Sequence, residues 1–200
     1  MDKIDFKKEL KFLYNPSAKE VSIVDVPGMN FLLIEGEGAP SSQQYIDAVQ
    51  TLYPLAYSLK FMVKKSKGVD YGVLPLEGLW WVQDMTQFSV DRKDKWRWTA
   101  MIMQPKYITQ TDFKNVVEQG KQKNLPAIDK VQFELFHEGK AAQIMHLGPY
   151  SAEATNIQKL HETIKSNGQQ LSGKHHEIYL NNPNKTTPEK LKTILRQPMK

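Results

Sequence analysis

The sequence predicts an α+β fold in which two related halves each contribute an antiparallel sheet and helices. Short runs of alternating or continuous apolar residues, typical of strands, separate segments that have helical spacing. The order hairpin, helix, strand occurs twice along the chain, and the first half carries one additional strand as an insertion. The 200 residues, 40% hydrophobic and 24% charged, suit a folded domain with a hydrophobic core.

Local patterns define the elements of the first half in order. Apolar residues on one face predict a short helix over residues 5–13, followed by two strands that we expect to form a hairpin around Pro27-Gly28. A long helix begins at a cap, Ser41 or Ser42, and we expect a kink or a break at Pro54 because proline removes a helix hydrogen bond. The predicted strands are 21–26, 30–36, 71–82 and 95–104, and the long helix ends near Lys65.

The second half repeats these patterns with shorter helices. A helix over residues 110–124 is capped by Thr109 or Thr111, and a second hairpin is expected around Glu138-Gly139. Pro188 suits a first helical turn, so a closing helix is predicted over Pro188–Arg196. The remaining predicted elements are strands at 131–137, 140–147 and 174–180 and a helix at 152–167.

The two halves are aligned through a glycine that precedes a helix in each. Placing Gly38 on Gly148 lays the first long helix over the later one, and the strand of Trp98 over the strand of Glu177. We therefore expect a pseudo-two-fold with a ligand groove at the dyad, where clefts commonly bind small molecules. The predicted divisions are an N-terminal helical extension at 1–19 and a domain at 20–200, with halves of about 20–106 and 107–200.

Composition and spacing exclude several classes of function. The net charge is +5, but the lysines are scattered and no nucleic-acid-binding motif is present, so direct nucleic-acid binding is not expected. The absence of cysteine excludes disulfides and thiolate metal sites. His175 and His176 point to opposite sides of a strand and no third ligand stands at metal spacing, so no metal is expected. Gly36-Glu37-Gly38 lacks the third glycine of a dinucleotide-binding loop, and no other cofactor is expected. Without a signal peptide or a run of about 18 apolar residues, the chain is expected to be cytoplasmic with no membrane partner.

Glu177 is the first candidate for chemistry. It lies in a predicted strand beside apolar residues, so its side chain can face a dry groove. A buried carboxylate is costly unless it has a partner or a role. Glu177 is therefore interpreted as a base that activates water or as a counter-charge for a cationic ligand, against the alternative of an exposed residue paired with lysine.

Aromatic side chains form the second candidate group. Tryptophan offers a wide flat face that stacks on planar ligands, and adjacent Trp80 and Trp81 must point to opposite faces of their strand. Tyr53 and Tyr57 lie one helical turn apart and can present hydroxyl groups together. For each aromatic residue the alternative is ordinary core packing, and for Met101 core packing is the favoured interpretation. The other candidate substrate-binding residues are Trp98, Phe61, Tyr71, Met101 and Tyr179.

Four motifs carry a resemblance to a known family. They are PLEGLWW at 75–81, WRWTAMIMQP at 96–105, HLGPY at 146–150 and HHEIYL at 175–180. Together they resemble the gyrase-inhibitor-like (GyrI-like) small-molecule-binding family, over about residues 20–196. The resemblance implies a duplicated strand-helix-strand-strand unit with a ligand groove at its pseudo-dyad. It also implies kinship with effector-binding domains of multidrug-responsive regulators and with an inhibitor of DNA gyrase.

The stand-alone branch of that family includes hydrolases that act on cyclopropane-bearing, DNA-alkylating compounds, and this sequence is most similar to that branch. The resemblance implies that Glu177 activates water, that Tyr53 or Tyr57 donates to a carbonyl, and that Trp80 and Trp98 wall the site. The partner is then a small aromatic ligand. Two other functions stay open: sequestration of hydrophobic or cationic aromatic drugs, and an interaction with gyrase, against which the charge of +5 argues.

Overall fold

The computed structural model describes residues 3–85 and 90–200 of the chain. The helices are α1 (Phe6–Glu9), α2 (Lys11–Tyr14), α3 (Gln43–Lys67), α4 (Gln110–Gln122) and α5 (Ala154–Ser166). The strands are β1 (Ser22–Val26), β2 (Met29–Glu37), β3 (Leu76–Trp81), β4 (Arg97–Gln104), β5 (Gln132–Phe136), β6 (Gly139–Leu147), β7 (His175–Tyr179) and β8 (Lys192–Pro198). The predicted α+β class with antiparallel sheets is confirmed.

The chain divides into two compact units. Unit 1 contains the chain up to Phe6 together with Met29–Phe136, and unit 2 contains Lys7–Gly28 and His137–Lys200. This division differs from the predicted halves, because β1 belongs to the unit of the C-terminal residues.

In unit 1 the strand order is β3-β4-β2-β5, and every neighbouring pair is antiparallel. Helix α3 covers one face of this sheet and packs against α4. In unit 2 the order is β7-β8-β6-β1, again antiparallel, with α5 against the sheet. Its core under α5 is aliphatic and contains Ala142, Ile144, Leu160, Ile164, Leu195 and Met199.

Both predicted hairpins are wrong. β1 pairs with β6, with Val24 opposite Ala141, and β2 pairs with β5, with Phe31 opposite Glu134. The turn residues Pro27-Gly28 indicate that the chain changes direction, but they do not determine which strand becomes the partner. Each first strand therefore pairs with a strand more than 90 residues away in the sequence.

The predicted closing helix is also wrong. Pro188–Lys190 forms one 3₁₀ turn, and the chain then continues as β8, the strand between β6 and β7. The helix was predicted because Pro188 suits a first helical turn. The β-branched Thr193 and Ile194 that follow suit a strand buried on both faces, and six residues of β8 are buried.

Several helix ends and breaks follow from local chemistry. Ser42 caps α3 by accepting from the Tyr45 amide, and Thr109 caps α4 through a capping box with Asp112. α3 continues through Pro54 without a break, because the exposed proline leaves the unpaired carbonyl of the preceding turn accessible to water. At the N-terminus the predicted helix is two short helices, α1 and α2, interrupted at Leu10.

Strand registers show which residues of the two units correspond. In unit 1, Trp98 of β4 lies between Trp80 of β3 and Gly36 of β2. In unit 2, Thr193 of β8 lies between Tyr179 of β7 and His146 of β6. Trp80 therefore corresponds to Tyr179. The predicted equivalence of the Trp98 and Glu177 strands is wrong, since β4 corresponds to β8 and β3 to β7. The pseudo-two-fold and its groove stay predictions.

Within the described residues, none of the helices has the length and apolar character needed to cross a lipid bilayer.

Candidate ligand-binding and catalytic site

Strand β7 of unit 2 places three polar side chains on one face. Because side chains alternate along a strand, His175, Glu177 and Tyr179 share the face that His176 and Ile178 do not. The Tyr179 hydroxyl donates to Glu177 Oε2 at 2.7 Å, and His175 Nε2 lies 3.2 Å from Oε1. The Glu177 side chain is 14% exposed. Its two oxygens thus have defined partners, while a small part of the side chain is still exposed.

Two neighbours extend this polar group. The Tyr150 ring packs edge-on against Tyr179, with centroids 5.9 Å apart and planes at 83°. His161 of α5 is half-buried, and burial, followed by the nearby His175 and Lys165, lowers its pKa. His161 is therefore favoured in its neutral form, in which one ring nitrogen can accept a proton. We call Glu177, His175, Tyr179, Tyr150 and His161 the Glu177 cluster.

His176 faces the other side of the sheet and belongs to a buried ionic network. Its Nδ1 lies 2.9 Å from Glu138 Oε1, and Arg196 donates to Glu138 Oε2 at 3.1 Å. Arg196 also donates to Gln143 Oε1 and to the Leu13 carbonyl. Burial raises the pKa of Glu138, but attraction to His176 and Arg196 outweighs it and lowers the pKa to about 2. The two adjacent histidines thus have separate partners and separate roles.

In unit 1 the predicted tryptophan walls lie deep in the core. Trp80 is 1% exposed and Trp98 is fully buried. Both rings contact Tyr45 of α3, at centroid distances of 5.2 and 5.0 Å. The Trp98 indole Nε1 is buried with no acceptor among the described residues. These two rings support the surface of unit 1 from behind, on the side of the sheet that α3 covers.

Two exposed aromatic residues of unit 1 lie on α3. Tyr57 and Phe61 are 47% and 58% exposed and stack on each other, with centroids 6.3 Å apart and planes at 28°. Tyr53, one turn earlier, is half-buried. Burial raises the pKa of Tyr53, a hydrogen bond with the Leu76 backbone lowers it, and Tyr57 raises it again, for a net increase. Tyr53 therefore keeps its proton and can donate it in a hydrogen bond.

The remaining predicted contacts are dispersed. Trp81 is half-buried and shares the sheet face away from Trp80 with the fully buried Met101. Tyr71, also buried, lies before β3, where its ring meets Phe6 and Tyr107. Met101 and Tyr71 thus have the positions of core residues.

Sequence reasoning missed several residues of these sites. Tyr150 and His175 contact Tyr179 and Glu177, and the strand period of two would have found His175 because it lies two positions before Glu177. Outside these sites, Glu77 of β3 is an acidic residue with 1% exposure, a burial that its apolar neighbours in the sequence do not predict for it. Within residues 3–85 and 90–200, no three His, Cys, Asp or Glu side chains are arranged to hold a metal ion.

Residues 19–200 match the family described as the GyrI-like small molecule binding domain. The chain belongs to this family.

Solved structures of similar proteins agree. A conserved protein of uncharacterised function from Listeria innocua is 38% identical with a TM-score of 0.91, covering 99% of this chain and 100% of that one. Two hydrolase structures from Listeria innocua are 37% and 36% identical, with TM-scores of 0.89 and 0.86. They cover 100% and 99% of this chain, and all of their own chains.

The C-terminal domain of EcmrR is 13% identical with a TM-score of 0.57, covering 90% of this chain and 97% of that one, a likeness of fold alone. None of the curated proteins matches the sequence.

Proposed function

We propose that this protein is a cofactor-free hydrolase that opens the activated cyclopropane of planar, polycyclic, DNA-alkylating compounds. The observation that carries the proposal is the Glu177 carboxylate, fixed by the Tyr179 hydroxyl at 2.7 Å and by His175 at 3.2 Å while partly open to solvent. The full-length likeness to two hydrolases from Listeria innocua supports hydrolysis as the reaction class.

The proposed reaction consumes one water molecule. Glu177 takes a proton from water, and the oxygen bonds to the cyclopropane methylene while the bond from that methylene to the ring carbon breaks. The electron pair moves through the conjugated dienone to its carbonyl oxygen, which becomes a phenol when it gains a proton. The driving force is the release of ring strain together with aromatisation. A positioned base contributes roughly 10²–10⁴ to the rate.

The tyrosine predicted to act on the carbonyl oxygen, Tyr53 or Tyr57, lies on α3 of unit 1. Tyr53 retains the hydroxyl proton that a hydrogen-bond donor to a developing oxyanion needs. The exposed stack of Tyr57 and Phe61 offers a flat apolar surface for a polycyclic substrate. Trp80 and Trp98 act from the core by holding Tyr45 and the adjoining sheet rigid.

The same exposed stack also suits a protein that only sequesters aromatic drugs. In that case Glu177 is a counter-charge for cationic ligands, and no product forms. The two functions differ for a ligand that is neutral at its reacting centre. As a base, Glu177 promotes the ring opening of such a ligand, whereas as a counter-charge it has little effect on it.

Glu177→Gln separates these functions. If Glu177 is the base, the variant should open a cyclopropane-bearing alkylator about 10² more slowly while its affinity, followed by tryptophan emission, stays near that of the wild type. Product formation is measured by chromatography in single-turnover reactions. Glu189→Gln, a change at an exposed glutamate of the same unit, is the matched control and should leave the rate unchanged.

The opposite pattern contradicts the catalytic assignment. Full turnover by Glu177→Gln would show that another group activates water. No turnover by the wild type, with weaker binding of cationic but not neutral aromatic ligands in the variant, would establish the sequestration function instead.

A further inference from the structure

Unit 2 contains a cavity of about 670 Å³ on the sheet face away from α5. One wall is the N-terminal segment, through Lys7, Lys8, Lys11, residues 14–16 and Ala18. The other is the sheet, through Met145 and Leu147 of β6, Lys192 of β8, and Leu180 and Asn181 after β7. The volume suits a drug-sized molecule.

This cavity is distinct from the Glu177 cluster. Glu177 shares a sheet face with Leu195 of the α5 core, whereas Lys192 is an odd number of positions from Leu195 and points to the other face. The lining residues of the N-terminal segment all precede residue 19, where the match to the GyrI-like family begins. The cavity therefore goes beyond the function proposed for Glu177.

The charged side chains that line the cavity are all positive. Four lysines line it, and no aspartate or glutamate does so among the described residues. Lys8, Lys11 and Lys192 are exposed and have no ion pair within the described part of the chain. Unit 2 as a whole has 13 lysines and arginines and eight aspartates and glutamates. Its net charge is therefore +5, the same as that of the complete chain. A concave surface of one charge concentrates counter-ions.

The floor of the cavity is apolar. Leu147, the last residue of β6, is 55% exposed. Met145 beside it is 5% exposed and flexible in shape, and Leu180 is half-buried. An apolar floor under a cationic rim matches a molecule that has an apolar body and a negatively charged head.

The cavity is also firmly built. The N-terminal segment is fixed to the sheet by Arg196, which donates to the Leu13 carbonyl at 2.9 Å, and by Gln143, which donates to the Phe12 carbonyl at 2.6 Å. The Met145 amide donates to the Ser17 carbonyl at 2.9 Å. These three bonds fix the part of the wall that directly follows Lys11 to the sheet.

We infer that this cavity binds an amphiphilic organic anion, with a carboxylate, sulfonate or phosphate head among Lys8, Lys11 and Lys192 and an apolar body over Met145, Leu147 and Leu180.

Anilinonaphthalene sulfonate is a suitable fluorescent probe, and phenylnaphthylamine is the same ring system without the charge. The triple variant Lys8→Gln/Lys11→Gln/Lys192→Gln should bind the sulfonate about tenfold more weakly than the wild type, because three exposed attractions are lost. Lys65→Gln/Lys106→Gln/Lys123→Gln, which removes equal charge from exposed sites of unit 1, should change the affinity less than about twofold. The uncharged analogue should bind all three proteins alike.

The binding place is checked with ¹³C-methyl methionine, since Met145 is one of eight methionines and Met145→Leu assigns its signal. Saturation with the sulfonate should shift the Met145 methyl signal in the wild type. Equal sulfonate affinity in the two triple variants would overturn the inference, as would an unmoved Met145 signal at saturation. Displacement of the sulfonate by inorganic phosphate at equal concentration would overturn the role of the apolar floor.

Discussion

At the scale of single residues, Gly36 shows how one missing side chain permits the packing of unit 1. A Cβ at this position would lie 2.3 Å from the Trp98 ring, far below any contact that real atoms make. The Gly36 backbone is not in the left-handed region, so the requirement is space and not conformation. Trp98 fills the place next to the Gly36 backbone and is held there by Tyr45.

Gly36→Ala should therefore destabilise the protein by about 1–3 kcal/mol, the usual cost of overfilling a packed core. Gly72→Ala is the control, because its new methyl group would meet only the end of the Lys3 side chain at 3.6 Å. The control should be neutral or stabilising by up to about 1 kcal/mol, since alanine restricts the unfolded chain. Urea unfolding followed by tryptophan emission measures both, and equal stability of Gly36→Ala and wild type would contradict the steric argument.

At the scale of elements, the buried network joins the N-terminal segment, the start of β6, β7 and β8. The side chain of Glu138 is 1% exposed, as are the side chains of its partners His176 and Arg196. A buried ion pair is weak evidence of stability, but removing one partner leaves the other charge unpaired and costs about 3–5 kcal/mol. Glu138→Gln should lower the unfolding free energy at neutral pH by that amount.

The same network predicts the response to acid. The pKa of Glu138 is about 2 in the folded protein against an ordinary value of 4.5. Because the folded pKa is the lower one, the contribution of Glu138 is fully present above about pH 4.5 and is lost as the pH falls towards 2. The stability difference between wild type and Glu138→Gln, from urea unfolding at several pH values in this window, should therefore shrink as the pH falls. Glu134→Gln, at an exposed glutamate, should keep the wild-type pH dependence.

At the scale of the whole molecule, the pairing of β1 with β6 joins residues that are far apart in the chain. Asp25 and Lys140 lie opposite each other, and both are exposed. Opposite residues of an antiparallel pair are about 4.5–5.5 Å apart between Cα atoms, within the range of a disulfide. The chain has no cysteine of its own, so an introduced pair has no competitor.

Asp25→Cys/Lys140→Cys should therefore form a disulfide under mild oxidation and migrate faster on a non-reducing gel because it closes a large loop. Asp25→Cys/Asn30→Cys tests the hairpin around Pro27-Gly28, in which these two residues would be opposite, and should cross-link more slowly. Ready closure of the short loop, with no bond to residue 140, would restore the hairpin and contradict the observed pairing.

Sequence patterns alone predicted the α+β class, the positions of most strands and the family. They limited the helix caps to Ser41 or Ser42 and to Thr109 or Thr111, and the structure shows Ser42 and Thr109 in these positions. These depend on local periodicity, on capping chemistry and on motifs that a short window contains. The sequence also singled out Glu177 and the aromatic residues of α3. These assignments of function stay predictions.

The tertiary structure alone decided which strands pair, that residues 192–198 form a strand, and which aromatic rings are buried. Strand pairing is non-local, because the hydrogen bonds of β1 are with residues more than 110 positions away, and no local pattern encodes that partner. Burial of Trp98 depends on the space above Gly36, and the network of Glu138 depends on Arg196, 58 positions further along. Long-range packing places such groups, so their partners become visible only when the chain is folded.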